Sequence, residues 1–191
     1  MNTPAHLLIG WAAFGRKHPE RLAFAALIGA LLPDLSLYVL AGTSLFLLDI
    51  SPSIVFGELY FSDLWQTIFA IDNSFIVWGV LLALAIAFKR DWGIALCGAA
   101  LLHLALDLPL HHDDGRAHFW PVSNWIFESP VSYWDHRHHA AIVGPLELAL
   151  AGGCCIAIVG KQIWRKASIP VALLLAMEAA VVIPGYFWSF E

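Results

Sequence analysis

His103, Asp107 and His111 stand four residues apart in the stretch LLHLALDLPLHH, so on a continuous helix they would line one face, one turn above another. Two imidazoles and a carboxylate on one stripe form a donor set for a divalent cation. Pro109 interrupts the stripe. Its missing N–H and crowded ring predict that the helix kinks or ends between Asp107 and His111. The loop that follows, His111 to His139, holds six of the nine histidines together with Asp113, Asp114 and Asp135. His111, His112 and His118 are candidate ligands at its start; the competing reading is a solvated turn whose Asp and Gly residues cap helices. At its end Asp135 suits the N-cap of the next helix, and His136, His138 and His139 suit a surface or a pH-sensitive gate. His18 falls in a charged turn and reads as exposed.

These groups must be positioned by apolar helices. The chain has 191 residues, 60% of them hydrophobic and only 13% charged, with a mean hydropathy of +0.73. Such a composition indicates an integral membrane protein, and the length suits one all-α helical bundle over residues 1–191 with no separate soluble domain. A net charge of -5 without a basic patch excludes nucleic acid as a partner. Cys97, Cys154 and Cys155 lie in apolar runs without ligand spacing and read as packing residues. Met1 to His6 lacks the basic start and cleavage site of a removable leader, so the first apolar segment is expected in the mature protein.

Thr3 and Pro4 suit the cap and first turn of a helix running to Phe14, too short to cross a hydrocarbon core of roughly 20 residues and therefore half-depth or re-entrant. Five spanning segments follow: Leu22–Leu48, interrupted by Pro33 and Asp34, then Asn73–Phe88, Trp92–Leu110, Ala140–Gly160 and Ile169–Trp188. Asp49 to Asp72 reads as an interfacial loop with short helical pieces. Arg16, Lys17, Arg21, Lys89, Arg90, Lys161, Arg165 and Lys166 all fall in alternate connections, leaving only Arg116 and Arg137 in the others. Eight of ten basic residues on one side orient the His-rich loop away from the cytoplasm. Trp120, Trp125, Tyr133 and Trp134 are its interfacial anchors.

Counting along each helix from the nearest basic turn gives a depth. His6 lies 10 residues from Arg16, Asp34 13 from Arg21, His103 13 and Asp107 17 from Arg90, Glu147 14 from Lys161, and Glu178 12 from Lys166. At the helical rise these offsets place all six at roughly 15 to 25 Å from one boundary of the membrane. One ionised group near the membrane centre costs on the order of 3 kcal/mol, so six at one depth are expected to meet each other, a metal ion or water. Two imidazoles and several carboxylates suit Zn²⁺, with Mn²⁺ or Fe²⁺ as alternatives, and Glu147 or Asp72 could act as general base or orient a ligand.

The segments NTPAHLLIG, IGALLPDLS and GAALLHLALDLPL, followed by FWPVS, resemble the membrane-bound, metal-dependent hydrolase family, some of whose members are LexA-regulated. The resemblance runs from Asn2 to about Pro121 and implies His6, Asp34, His103 and Asp107 as metal ligands, Asp107 also serving catalysis, in a bacterial inner-membrane protein. HxxxD followed by Pro and His is also distantly similar to zinc-dependent phospholipase C and the S1/P1 nucleases. Two motifs depart. The family's PDxD reads PDLS here, so Ser36 replaces a carboxylate, and FAIDNSF stands where the family carries HRGxTHS. The resemblance then implies that Asp72 or the loop residues His111, His112 and His118 substitute for the absent histidines.

Three functions fit these residues. The first is a metal-dependent hydrolase cleaving an ester or phosphodiester of a lipid or amphipathic substrate at the outer leaflet. The second is a transport subunit passing protons or metal ions along the buried layer. The third is a structural or assembly protein with a vestigial metal site.

Overall fold

The computed structural model describes residues 1–15, 19–160 and 167–188, and every regular element among them is helical. The turn residues Arg16, Lys17, His18, Lys161, Arg165 and Lys166 lie outside the described residues. Among the described residues four helical stretches are long and apolar enough to cross a membrane: Glu20–Leu47, Asp63–Ala87, Asp91–Leu110 and Ala140–Val159. A further helix, α8 (Ser168–Trp188), is apolar over Ser168–Pro184.

The architecture is the all-α bundle the composition predicts, with a difference in the second crossing. Much of the stretch read as interfacial loop is helical: α3 (Pro52–Ile54) is a single turn, and α4 (Asp63–Asp72) begins the crossing that α5 (Phe75–Ala87) completes. Two serine caps make the join. Ser62 accepts the Trp65 N–H at the head of α4, and Ser74 accepts the Ile76 and Val77 N–H groups, each at 3.1 Å, at the head of α5. The aromatic residues that suggest an interface in the sequence instead build a small core, with Tyr60, Trp65 and Phe69 all buried.

Helix α1 (Thr3–Phe14) rises about 18 Å. It packs among α2 (Pro19–Gly42), α6 (Asp91–Asp107), α7 (Ala140–Val159) and α8. Being apolar on every side, it suits a buried position, and Ala5, His6 and Leu8 are at most 1% exposed. Asn2, rather than Thr3, occupies its cap position and makes no side-chain cap bond. The Thr3 hydroxyl is engaged elsewhere, donating to Asp34 Oδ2 at 2.5 Å and lying 2.7 Å from the Tyr38 hydroxyl.

The crossing of α2 and α6 is built from small residues. Ala26 and Ala30 on α2 and Ala99 on α6 pack together, and a Cβ added to Gly29 would fall 2.0 Å from the Leu96 carbonyl oxygen. Small side chains let helix backbones approach closely where lipid supplies no hydrophobic drive. This approach carries Asp34, just after Pro33 in α2, toward His103 of α6.

Pro109 acts as its chemistry predicts. Helix α6 ends at Asp107, and Leu108–Leu110 forms a single tighter turn. The long loop is then tied back at two places. Ser129 donates its N–H to His111 O at 3.0 Å and its hydroxyl to Pro109 O at 2.6 Å. Tyr133 N donates to Leu110 O at 3.1 Å. The second tie is the α4–α5 junction, where Ser74 Oγ donates to Trp120 O at 2.5 Å and Phe75 N donates to His118 O at 2.9 Å. Asp135 caps the short turn His136–His138 by accepting the Arg137 N–H. His139, at φ 70°, takes the cap position of α7 expected for Asp135.

Candidate metal centre

Asp107 is the hub of a buried cluster. Its Oδ1 lies 2.8 Å from His6 Nε2, and its Oδ2 lies 3.2 Å from His103 Nε2 and 3.3 Å from His111 Nε2. The Met1 nitrogen is 2.5 Å from Oδ1. The His6 and His103 rings stack with centroids 3.6 Å apart and planes 13° from parallel. One donor atom each from His6, His103 and Asp107 lie within 4.8 Å of one another, so this group could hold a metal ion. Asp34 joins from α2, with Oδ1 3.5 Å from His103 Nε2.

Hydrogen bonding tests whether these donors suit a cation. His103 Nδ1 lies 2.7 Å from the Ala30 carbonyl oxygen. A carbonyl only accepts, so Nδ1 carries a proton, and in the neutral ring Nε2 presents a lone pair. That lone pair faces Asp34 and Asp107 and makes no aligned hydrogen bond among the described residues. Acceptors converging in a buried site require a cation between them, whether a proton or a metal ion. A histidine held through its other nitrogen by a backbone carbonyl is the usual support of a metal ligand. Two imidazoles and one carboxylate also match the three-ligand pattern of catalytic sites that keep a coordination position open.

His111 extends the cluster toward the loop: its Nδ1 lies 2.9 Å from Asp114 Oδ1. Burial pushes the imidazole's pKa down, but Asp107 and Asp114 on either side hold it above its ordinary value. For Asp114 burial acts upward and is outweighed by His111, which keeps the carboxyl below the usual range. Trp134 Nε1 donates to the other Asp114 oxygen at 3.0 Å.

Other candidate residues are placed around the cluster or away from it. Glu147 accepts the Asn2 N–H, and Asn2 Nδ2 donates to Glu178 Oε1 at 3.3 Å. The six ionisable groups assigned to one depth thus all meet around the start of α1. Asp72 accepts from Asn73 Nδ2 at 2.8 Å and lies near Ser36, so a carboxylate from α4 stands beside the serine that interrupts PDLS. His118 donates through Nδ1 to Asn73 O at 2.9 Å and docks the loop; burial lowers its pKa. His112 lies in a separate group near the surface. Its Nδ1 is bonded to Ser129 O at 2.7 Å, its ring stacks on His138 at 3.6 Å, and its Nε2 is 3.5 Å from Glu128.

A cavity of about 540 Å³ opens beside the cluster, within the size range of small-molecule sites. Asp34, Asp107 and His111 reach its wall, and Tyr60, Arg116 and Tyr133 also line it. His6, His103, Glu147 and Asp72 do not line it. Tyr60 and Tyr133 escape sequence reasoning because they carry no ligand chemistry, and Arg116 counts there only as a charge on the minority side. Comparison with known protein families, curated proteins and solved structures finds no match to this chain.

Proposed function

We propose that the chain is a membrane-embedded, metal-dependent hydrolase acting on an ester or phosphodiester of a lipid or amphipathic substrate. The observation that carries this reading is a buried His₂Asp donor set whose carboxylate edge opens into a cavity with apolar walls. His6, His103 and Asp107 hold the ion, with Asp34 beside them, and the donor types favour zinc over manganese or iron. A divalent ion held there supplies Lewis acidity to a water molecule or to an oxygen of the scissile group. Ala30 O fixes the tautomer of His103, and His111 braces Asp107 from the loop side. Glu147 acts at a distance by holding Asn2 and with it the start of α1, and Asp72 by engaging Asn73. The short motifs around His6, Asp34 and His103 that resemble the membrane-bound hydrolases support the same ligands.

Arg21, Lys89 and Arg90 border one shallow pocket at the pole of the bundle. With the positive-inside tendency, this supports an inner-membrane orientation in which the cavity meets the outer leaflet. The test is a hydrolysis screen on detergent-purified, zinc-loaded protein with short-chain ester and phosphoester lipids, measuring released fatty acid and phosphate. Turnover that disappears in His103→Ala with the fold intact supports the reading. A metal-loaded wild type inert on the whole panel would overturn it in favour of a transport or structural role.

A further inference from the structure

The cavity beside the metal cluster is also lined by a cation that makes no direct ion pair among the described residues. Arg116 is 8% exposed, yet among the described residues no carboxylate oxygen lies within ion-pairing distance of its guanidinium. Nη1 donates to the Tyr60 hydroxyl and, at 3.0 Å, to Asp114 O. The guanidinium carbon lies 4.4 Å from the Phe69 ring centroid and 4.7 Å from that of Tyr60. The aromatic faces and neutral oxygens hold the group in place without a direct ion pair, and the Asp114 and Asp72 carboxylates act on its charge only from farther away. The nearest acid in sequence, Asp114, is already committed to His111 and to Trp134. A planar, pre-positioned guanidinium on a cavity wall is the arrangement that binds phosphate through paired hydrogen bonds.

The same cavity has an apolar side. Leu37, Phe56 and Phe61 line it, and Phe56 and Phe61 are also 48% and 54% exposed. An alkyl chain could therefore lie along them and continue into surrounding lipid. We propose that Arg116 is the anion-recognising residue of this cavity and that the ligand is a phosphate ester carried on an apolar chain. Its phosphate sits between Arg116 and the Asp34/Asp107 edge of the cluster, and its chain lies along Leu37, Phe56 and Phe61. This rests on the hydrolase reading for its chemistry, but binding alone can test it.

The experiment measures binding of dioctanoyl phosphatidic acid, dioctanoylglycerol and inorganic phosphate to full-length protein in detergent, after chelator treatment and again with zinc restored. Chelator-treated wild type should bind the phosphate lipid roughly tenfold or more tightly than the neutral lipid, and Arg116→Gln should abolish that preference. Inorganic phosphate should compete only at far higher concentration. Equal binding of the two lipids by wild type, or a preference that survives in folded Arg116→Gln, overturns the proposal. Competition by inorganic phosphate at the lipid's own concentration overturns the assignment to a lipid. If Arg116→Gln does not fold, Arg116→Lys decides: a reduced preference supports the planar fork, and an undiminished one overturns it. Arg116-dependent binding without turnover would defeat the hydrolase reading alone, whereas turnover with Arg116-independent binding would defeat this inference alone.

Discussion

Two histidine groups in this protein share a composition, a stacked ring pair and a ring nitrogen held by a backbone carbonyl, and differ in how far solvent reaches them. The inner group joins His6 and His103, stacked at 3.6 Å, to Asp107 and Asp34. The outer group joins His112 and His138, also stacked at 3.6 Å, to Glu128 and Asp135. The inner histidines are 1% exposed, and a backbone carbonyl leaves the His103 Nε2 lone pair facing carboxylates. In the outer group, the Glu128 side chain is 70% exposed, and Asp135 is shared with an exposed arginine. Water reaches Glu128 and Arg137 in the outer group, where Asp135 is satisfied by hydrogen bonds from Arg137 and His138, whereas the inner group must be satisfied by what the helices bring to it. Solvent exclusion around both histidines is what sets the inner group apart.

That contrast is sharpest in metal retention. Elemental analysis of zinc-supplied protein should find about one equivalent in the wild type and none in His103→Ala or Asp107→Asn. His112→Ala and His138→Ala should retain the full amount. Loss in the outer variants alone would invert the comparison.

A smaller effect should come from the helix crossing behind the inner group. Gly29→Val places side-chain carbons against the Leu96 backbone, and such overpacking costs about 3 kcal/mol. A lowered melting temperature should be accompanied by weakened metal retention, because His103 and Asp34 lie across the same interface. Unchanged retention would separate the site from the crossing. Ser129→Ala should do the reverse. It removes the bonds to Pro109 O and from Val131 N, costs about 1 to 2 kcal/mol of loop stability, and leaves the metal in place. Faster proteolysis of the loop with full zinc content is the expected outcome.

The smallest effect is acid sensitivity at the outer group. Hydrogen bonds from Arg137 and His138 hold the Asp135 carboxyl well below its ordinary value of 3.8. A depressed carboxyl contributes stability above that ordinary value and loses it as pH falls toward the folded value. Loop protection, followed by amide exchange, should therefore decline only below about pH 4, and Asp135→Asn should abolish this dependence.

The depth of the inner group was legible because a helix has a fixed rise: counting residues from basic turns brought His6, Asp34, His103, Asp107, Glu147 and Glu178 to one layer. The break after Asp107 was legible from Pro109. The outer loop was not, since its ties run from Ser129 to Pro109 and from His118 to Asn73, and no periodicity records contacts between a loop and distant helices. His112 and His118 therefore looked as suitable as His111. The α4–α5 crossing was half legible: the expected span Asn73–Phe88 contains α5, but the polar and aromatic stretch Asp49–Asp72 hid α4, whose Asp63–Asp72 begins the same helical stretch. The cavity's Tyr60, Tyr133 and Arg116 had no sequence signal beyond residue type.

The short central helix has a consequence for assembly. Helix α1 is too short to cross the hydrocarbon core, and its partners come much later: His6 meets Asp107 across 101 residues, and Asn2 meets Glu147 across 145. During synthesis the contacts of α1 with α6, α7 and α8 cannot form until those helices have been made, and α2 is its first partner. The donors of α1, α2 and α6 can come together once α6 is made, whereas Glu147 of α7 and Glu178 of α8, which hold Asn2, arrive last. Locking the start of α1 is therefore what the completed bundle adds to the site.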